Sequence, residues 1–414
     1  MRSPLDSPFS PGSDTVPQVW AGRTSQLSDW RDVLRPRRSA GLYERGRIVL
    51  GEAGSGKSSL VRRITREASQ AGDWVTPQLR IPSGTDPVKR VAAALLEVAQ
   101  QADLATVRER RIGELLRRVE SVAASGVSLS LRPGSGPEPY TALTELLTEI
   151  GRAAIRRGDI VVIIHLDEVQ NIGDEDARSQ LLIALGDALV HEEGVEAPGG
   201  LRVERALPIA VYLTGLPEFA VMAGARTGAT FARRFQTTTL GPLDDDSLRA
   251  ALQPFVTEGW PVLGATGAGP AEVGRGFMEP AAQQAIVERA CGEPFLFQLA
   301  GERAWYAGGG QLITAEQVQA GWREAAPEAE AHVQRILDRL PPREHQFLET
   351  MAELAPGERT LTMIARRMGY DQATDAGPTA QRLQLTRGLI HRGKPYRFHH
   401  RAIEAYLTSS WPWS

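Results

Sequence analysis

The stretch Gly51-Glu52-Ala53-Gly54-Ser55-Gly56-Lys57-Ser58-Ser59 contains a full GxxxxGK[ST] match. Phosphate oxygens need closely spaced backbone N–H donors, and only small side chains let a backbone wrap around them. Residues Glu52 to Ser59 would form that cradle, with the following helix N-terminus adding partial positive charge. Lys57 is placed to reach β- and γ-phosphates, and Ser58 offers a hydroxyl to Mg²⁺. A second element, Val161-Val162-Ile163-Ile164-His165-Leu166-Asp167-Glu168, ends in a carboxylate pair whose Asp167 lies 110 residues beyond Lys57. Asp167 is the candidate second Mg²⁺ contact. Glu168 is the candidate general base that orients and deprotonates an attacking water. His165 sits within an apolar run and reads as a packed histidine.

Two further positions have more than one reading. Thr214, in Ala210-Val211-Tyr212-Leu213-Thr214-Gly215-Leu216-Pro217, either hydrogen-bonds a γ-phosphate or its water, or caps the turn before Gly215. Arg233 and Arg234 are either a solvated face or the source of an arginine finger for a neighbouring subunit. Cys291 is the single cysteine, which excludes an internal disulfide or a CxxC metal site. It reads as a buried structural thiol. His399 and His400 are adjacent and read as a packing or solvated pair.

The elements that must position these residues follow from hydrophobic period and punctuation. Arg47–Leu50 is a short apolar strand before the glycine-rich turn, and a helix covers 57–68. Further strands are expected over 74–81, 127–131, 160–166, 207–214 and 237–240, the 160–166 run suiting a strand covered on both faces. Helices are expected over 26–34, 87–102, 105–123, 141–157 and 175–190. Beyond Pro242 the strands are expected to stop, leaving helices over 244–256, 279–290, 294–306 and 314–324. Alternating strands and helices followed by helices alone indicate a parallel three-layer domain and then a helical one.

This order of phosphate loop, Asp-Glu strand, Thr-Gly-Leu-Pro strand end, Arg-Phe and helical segment resembles the AAA+ ATPases. More narrowly it is similar to the origin-recognition-like branch and its bacterial ATP-binding relatives. Trp20-Ala21-Gly22-Arg23-Thr24-Ser25-Gln26-Leu27 resembles the family's opening GR-x-x-E-L motif, with Gln26 in place of Glu. The resemblance places Gly22 and Arg23 by the adenine. Gly292-Glu293-Pro294-Phe295 resembles the lid motif, so Pro294 is expected at the nucleotide, and Phe295 stands where many members carry a sensor arginine. Arg234 directly precedes Phe235, as the family's finger arginine often does, which implies a homo-oligomer. The implied fold is an α/β P-loop sheet sandwiched by helices, then an all-α lid and a winged helix. The expected divisions are an extended or disordered arm (1–18), the ATPase core (19–242), the lid (243–328) and the winged helix (329–414).

The tail carries the charge. The chain has a formal net charge of -3, yet from residue 376 onward six basic residues stand against Glu404 alone. These are Arg382, Arg387, Arg392, Lys394, Arg397 and Arg401, set in a third short helix and a candidate wing, a candidate footprint for duplex DNA. Winged helices also serve as plain protein-contact modules. With 42% hydrophobic and 23% charged residues, the composition is that of a globular chain. No apolar run reaches membrane-spanning length and the Pro-rich start has no signal-peptide core, so a cytoplasmic protein without membrane contact is expected. The expected activity is Mg²⁺-dependent ATP binding and slow hydrolysis, driving assembly or conformational change, with DNA association as output. The alternative is a signalling or defence switch whose winged helix holds an inactive state, with ADP retained.

Overall fold

A computed structural model describes residues 2–12, 15–102, 104, 139–196, 199–223, 233–266 and 269–413. The helix expected over 105–123 and the strand over 127–131 lie outside the described residues, as do Phe231 and Ala232. The chain divides into two compact units. One comprises 24–50 and 60–238; the other comprises 1–23, 51–59 and 239–414.

The first unit is built on a parallel sheet. Its helical entry is α1 (Thr24–Ser28), a π-helical stretch (Asp29–Leu34) and α2 (Arg35–Ser39). Then follow β1 (Gly46–Leu50), α3 (Lys57–Gln70), β2 (Trp74–Val75), β3 (Leu79–Arg80), α4 (Pro87–Gln101), α5 (Pro139–Arg157), β4 (Val162–Asp167) and α6 (Glu175–Val190). A hairpin, β5 (Glu192–Glu196) and β6 (Arg202–Ala206), precedes β7 (Ile209–Gly215) and β8 (Phe235–Thr239). The sheet order is β2-β4-β7-β1-β8, with β3 also on β4. Every residue of β4 and β7 is buried, which is why both read as unbroken apolar runs rather than as alternation. Leu60, Val61 and Ile64 form the buried stripe of α3. The span 74–81 is two short strands rather than one, because only Trp74–Val75 and Leu79–Arg80 keep register with β4. The β5–β6 hairpin was not expected; its Glu- and Arg-rich strands bury only Ala206.

The second unit continues with α7 (Asp245–Thr257), β9 (Trp260–Thr266), β10 (Gly269–Met278), α8 (Pro280–Ala290), α9 (Pro294–Tyr306), β11 (Leu312–Ile313) and α10 (Ala315–Asp338). The expectation that strands stop at Pro242 is corrected here. The region is helical but carries a three-stranded sheet, β11-β10-β9, so the lid is not all-α. Helix α10 also runs through Pro327 to Asp338, far past the expected end at 324, and the 328/329 division falls inside it. The buried faces of Val318, Trp322, Ala329, Val333 and Ile336 hold it together across the proline.

Residues 2–12 contain a 3-10 turn, Pro4–Asp6, and are tied to the rest of their unit. Arg2 donates from Nε to Gly310 O (2.6 Å) and from Nη2 to Gln317 Oε1 (2.8 Å), and Phe9 is 2% exposed. The C-terminal part holds α11 (Pro342–Glu353), α12 (Leu361–Arg367), α13 (Gly377–Leu385), the antiparallel pair β12 (Ile390–His391) and β13 (Arg397–Phe398), and α14 (Arg401–Thr408). Phe347, Leu348, Leu383, Ile390 and Ile403 join one core with Leu296, Trp322 and Val333.

Candidate nucleotide site

Strand β1 ends at Leu50, and the loop 51–56 turns the chain into α3. Gly54 and Gly56 have φ of +78° and +84°, a left-handed backbone that favours glycine. A Cβ on Gly51 would stand 2.6 Å from Ser55 Oγ, and one on Gly54 would stand 2.5 Å from His332 Cε1. Lys57 Nζ donates to Gly51 O and Glu52 O, both at 2.9 Å, so its ammonium lies across the loop. Ser55 Oγ is buried without a hydrogen-bond partner among the described residues. Loop, lysine and orphan hydroxyl are a donor set for an anion.

The loop opens into a cavity of ≈ 260 Å³. Of the residues expected to hold nucleotide, Arg23, Ala53, Gly54, Ser55, Gly56, Lys57, Ser58, Ser59 and Pro294 line it. Gly22 turns the chain beside Arg23, with φ of +62°. Arg23 Nη2 donates to Ser55 O (3.0 Å) and to Gly241 O (2.8 Å), which clamps the loop from the side. Burial pushes the Arg23 guanidinium down to about 10, opposed by the Glu293 carboxylate. Phe295 donates its backbone N–H to Gly54 O (3.2 Å), so the residue in the sensor position holds the loop through its backbone. Its ring lies 4.7 Å from that of His332.

Glu52 is 1% exposed and forms an ion pair with Arg339, just past α10. Glu293, also 1% exposed, receives His400 Nδ1 on Oε1 at 2.5 Å. Burial draws the His400 imidazole down, but Glu293 overrides it, and the net pKa lies above the ordinary 6.5. Burial lifts the Glu293 carboxyl, and His400 brings it below its ordinary value. His332 is 3% exposed; burial pushes it down to about 4. His399 is pushed to about 4 by partial burial and by His400, and its ring stands 4.4 Å from that of His391. Cys291 is buried, which raises its thiol to about 11, in keeping with a structural thiol.

In the unit built on the parallel sheet, Asp167 ends β4 at 2% exposure. Gln78 Nε2 (2.5 Å) and Arg80 Nη2 (3.2 Å) donate to its Oδ2, and the Thr214 hydroxyl donates to its Oδ1. Thr214 thus has its shortest hydrogen bond to the carboxylate, a partner that neither reading of it had included. Glu168 follows with φ of +55°, a left-handed conformation that costs a non-glycine residue about 1–3 kcal/mol. It turns the carboxylate outward, where Oε2 accepts from Asn171 Nδ2 at 3.0 Å. His165 is buried at 1% exposure. Arg234 Nη1 meets Asp187 Oδ1 of its own chain at 2.5 Å, and Arg233 is exposed.

The sequence reading missed Arg80, Gln78, Arg339, His332 and Gln298. Arg80 had a readable signal, because it stands in register with Asp167 once β3 pairs with β4. The others arrive from distant segments and leave no local pattern. The basic tail also divides. Arg382 and Arg387 both bind the buried Glu344, at 2.8 and 3.2 Å, and Arg401 binds Asp245 at 2.5 Å. Arg392, Lys394 and Arg397 are exposed.

Residues 19–192 match the model of the family described as AAA ATPase domain. Over those residues the chain is similar to an AAA ATPase domain, and its fold is similar to that of two solved structures. The Walker-type ATPase PABY2304 of Pyrococcus abyssi is similar, with a TM-score of 0.51 and 15% identity, over 94% of this chain and 96% of that one. The ORC2 protein of Aeropyrum pernix, solved as ADPNP–ADP complexes, has a TM-score of 0.50 and 15% identity, over 96% of each chain. Among curated proteins none matches the sequence. No helix among the described residues is long and apolar enough to cross a membrane.

Proposed function

We propose that the protein is a nucleotide-controlled switch that binds ATP, hydrolyses it slowly, and passes its nucleotide state to its C-terminal helices. The observation that carries this reading is a pair of buried links. Glu52 of the phosphate loop is paired with Arg339, and Glu293, beside the cavity-lining Pro294, is paired with His400 at the start of α14. A change in loop charge on nucleotide binding acts on both.

In this reading the N–H groups of 52–59 hold phosphates and Lys57 neutralises them. Ser58 and Asp167 present hard oxygen donors, the chemistry that suits Mg²⁺. When bound, that ion neutralises charge on the β- and γ-phosphate oxygens. Glu168 orients the attacking water and takes its proton, and Thr214 sets Asp167 by its hydroxyl. Arg234, held by Asp187, acts in trans only if an oligomer forms and that pair opens. The test is hydrogen exchange of segment 377–408 without nucleotide, with ADP and with a non-hydrolysable ATP analogue. Exchange identical in all three states would sink the switch.

A second reading has its own observation. Arg392, Lys394 and Arg397 surround the β12–β13 pair, are exposed, and make no ion pair with any described residue. In the wing of a winged helix such a trio would contact duplex phosphates. Electrophoretic shift of a labelled duplex at low salt, with and without ATP, tests it.

A further inference from the structure

Strand β3 is only two residues long, yet its alternation decides what surrounds Asp167. Leu79 points into the core at 1% exposure. Its two neighbours, Gln78 and Arg80, turn the other way, and both meet the Asp167 carboxylate. Arg80 stands in register with Asp167 across the β3–β4 pairing. The sheet itself therefore sets an arginine beside the carboxylate, and the pair does not depend on two flexible side chains finding each other.

Both carboxylate oxygens are engaged. Asp167 Oδ2 accepts from Gln78 Nε2 (2.5 Å), Arg80 Nε (3.3 Å) and Arg80 Nη2 (3.2 Å), and Oδ1 accepts the Thr214 hydroxyl. The Gln78 amide has one possible orientation. Its Oε1 accepts from Arg62 Nε (3.2 Å) and Nη2 (2.9 Å) of α3. A guanidinium offers only donors, so the amide must present its NH₂ group to Asp167. The two partners differ in freedom. The Arg80 side chain is 44% exposed and that of Asp167 1%. Arg80 can swing away into water, whereas Asp167 stays buried at the end of β4.

We propose that Arg80, aided by Gln78, gates Asp167, whose oxygens take a divalent cation only after these donors leave. This gate presupposes the reading above, in which Asp167 is a Mg²⁺ contact, and adds regulation to it. A hydrogen aimed at a carboxylate oxygen occupies the lone pair that a metal ion would use. Arg80 meanwhile neutralises the buried carboxylate, so Asp167 gains less from a cation than an open carboxylate would. The sign of the effect follows. Removing Arg80 or Gln78 strengthens the hold on Mg²⁺, whereas removing a residue that merely kept Asp167 in position would weaken it.

The test measures the affinity of the full chain for a non-hydrolysable ATP analogue by calorimetry, first in chelator and then over a Mg²⁺ series. The readout is the factor by which Mg²⁺ strengthens binding, and turnover does not enter it. Arg80→Ala should raise that factor about tenfold over the wild type, the low end for a charge-assisted bond because the guanidinium is partly exposed. Gln78→Met keeps the volume, changes no charge, and should raise it about threefold. If Arg80→Ala fails to fold, Gln78→Met decides alone. A factor lowered by either variant would make these residues supports of the metal contact and overturn the gate. A factor unchanged in both would overturn it too, as would a rise in Arg80→Ala alone, which would mark Arg80 as a nearby charge. An Asp167→Asn control separates the gate from the reading beneath it. If that variant keeps the wild-type factor, Asp167 is no metal contact and both fall. If it loses the factor while Arg80→Ala and Gln78→Met match the wild type, only the gate fails.

Discussion

Replacing His400 by alanine leaves the Glu293 carboxylate without its cation on Oε1, while Oε2 has no partner among the described residues. A buried charge stripped of its partner costs about 3–5 kcal/mol. Glu293 can escape that by taking up a proton. From an ordinary value of 4.5, uptake at pH 7 costs about 3.4 kcal/mol at 1.36 kcal/mol per unit, which caps the penalty. At pH 5.5 the cap is about 1.4 kcal/mol. Glu293→Gln behaves oppositely. It strands only the imidazole, which sheds its proton at pH 7 with little cost, so the loss is that of a charge-assisted bond, about 1.5–3 kcal/mol. Below the ordinary 6.5 the unfolded histidine binds a proton that the buried one refuses, and this penalty grows as pH falls. The wild-type pair fits the same scheme. The lowered Glu293 pKa gives stability that is present above 4.5 and lost as pH falls through the folded value. The raised His400 pKa gives stability that is present below 6.5 and lost as pH climbs through the folded value. The pair is therefore strongest between those limits. Urea unfolding at pH 7.0 and 5.5, followed by tryptophan fluorescence, reads this out. Trp20, Trp260, Trp305, Trp322, Trp411 and Trp413 lie in this unit, and only Trp30 and Trp74 in the other. Penalties that move in parallel with pH, or that stay below about 0.5 kcal/mol, would refute the reasoning.

Lys57→Ala should abolish ATP binding, whereas Glu168→Gln should keep binding and lower turnover by ~10²–10⁴-fold; nucleotide titration and steady-state hydrolysis check both. Exchanging Arg392, Lys394 and Arg397 for alanine together should remove duplex binding and a log-affinity against log-salt slope of about -2.7, at ~0.9 per phosphate, while Arg382→Ala, held as it is by Glu344, leaves the slope alone. With His332 pushed to about 4 by burial, the unfolded state binds the proton first, so stability rises with pH between that value and 6.5; His332→Phe should flatten the rise in a thermal-melting series. Mixing Arg234→Ala with Lys57→Ala protein should restore no hydrolysis while Arg234 stays on Asp187, and restored activity would instead establish a finger acting across subunits.

What was legible in the sequence had a local physical signature. Strands β4 and β7 are covered on both faces, so they appear as apolar runs. The phosphate loop needs its glycines where the backbone turns left-handed. The β9–β10 hairpin has no such signature. Its strands hold Gly264, Gly269, Gly274, Gly276, Pro261 and Pro270, residues of low strand propensity, and the segment reads as a loop. Helix α10 was cut short because an internal proline costs a backbone hydrogen bond, and only its buried stripe reveals that the helix continues. The arm was less legible for the reverse reason. Its prolines suggest an extended or disordered segment, and its anchors, Arg2 and Phe9, act on residues some 250 to 310 positions away. Counting charge in the tail also overstated the DNA footprint. Glu344 lies far upstream of the basic run and absorbs two of its arginines.

The start of α9 explains why these distant segments belong to one site. Glu293 takes the C-terminal histidine, Pro294 and Phe295 face the phosphate loop, and Gln298 takes the arm. In the proposed switch, a displacement of the loop by bound phosphate would therefore act on a helix end that already holds Ser10, Val19 and His400. No arginine is needed after Pro294 for such coupling. The backbone bond from Phe295 to Gly54 ties the helix to the loop, and the buried Glu52–Arg339 pair supplies a second tie from α10. If the coupling runs this way, weakening either tie should change nucleotide release and the protection of segment 377–408 together, whereas loss of Glu168 should change hydrolysis alone.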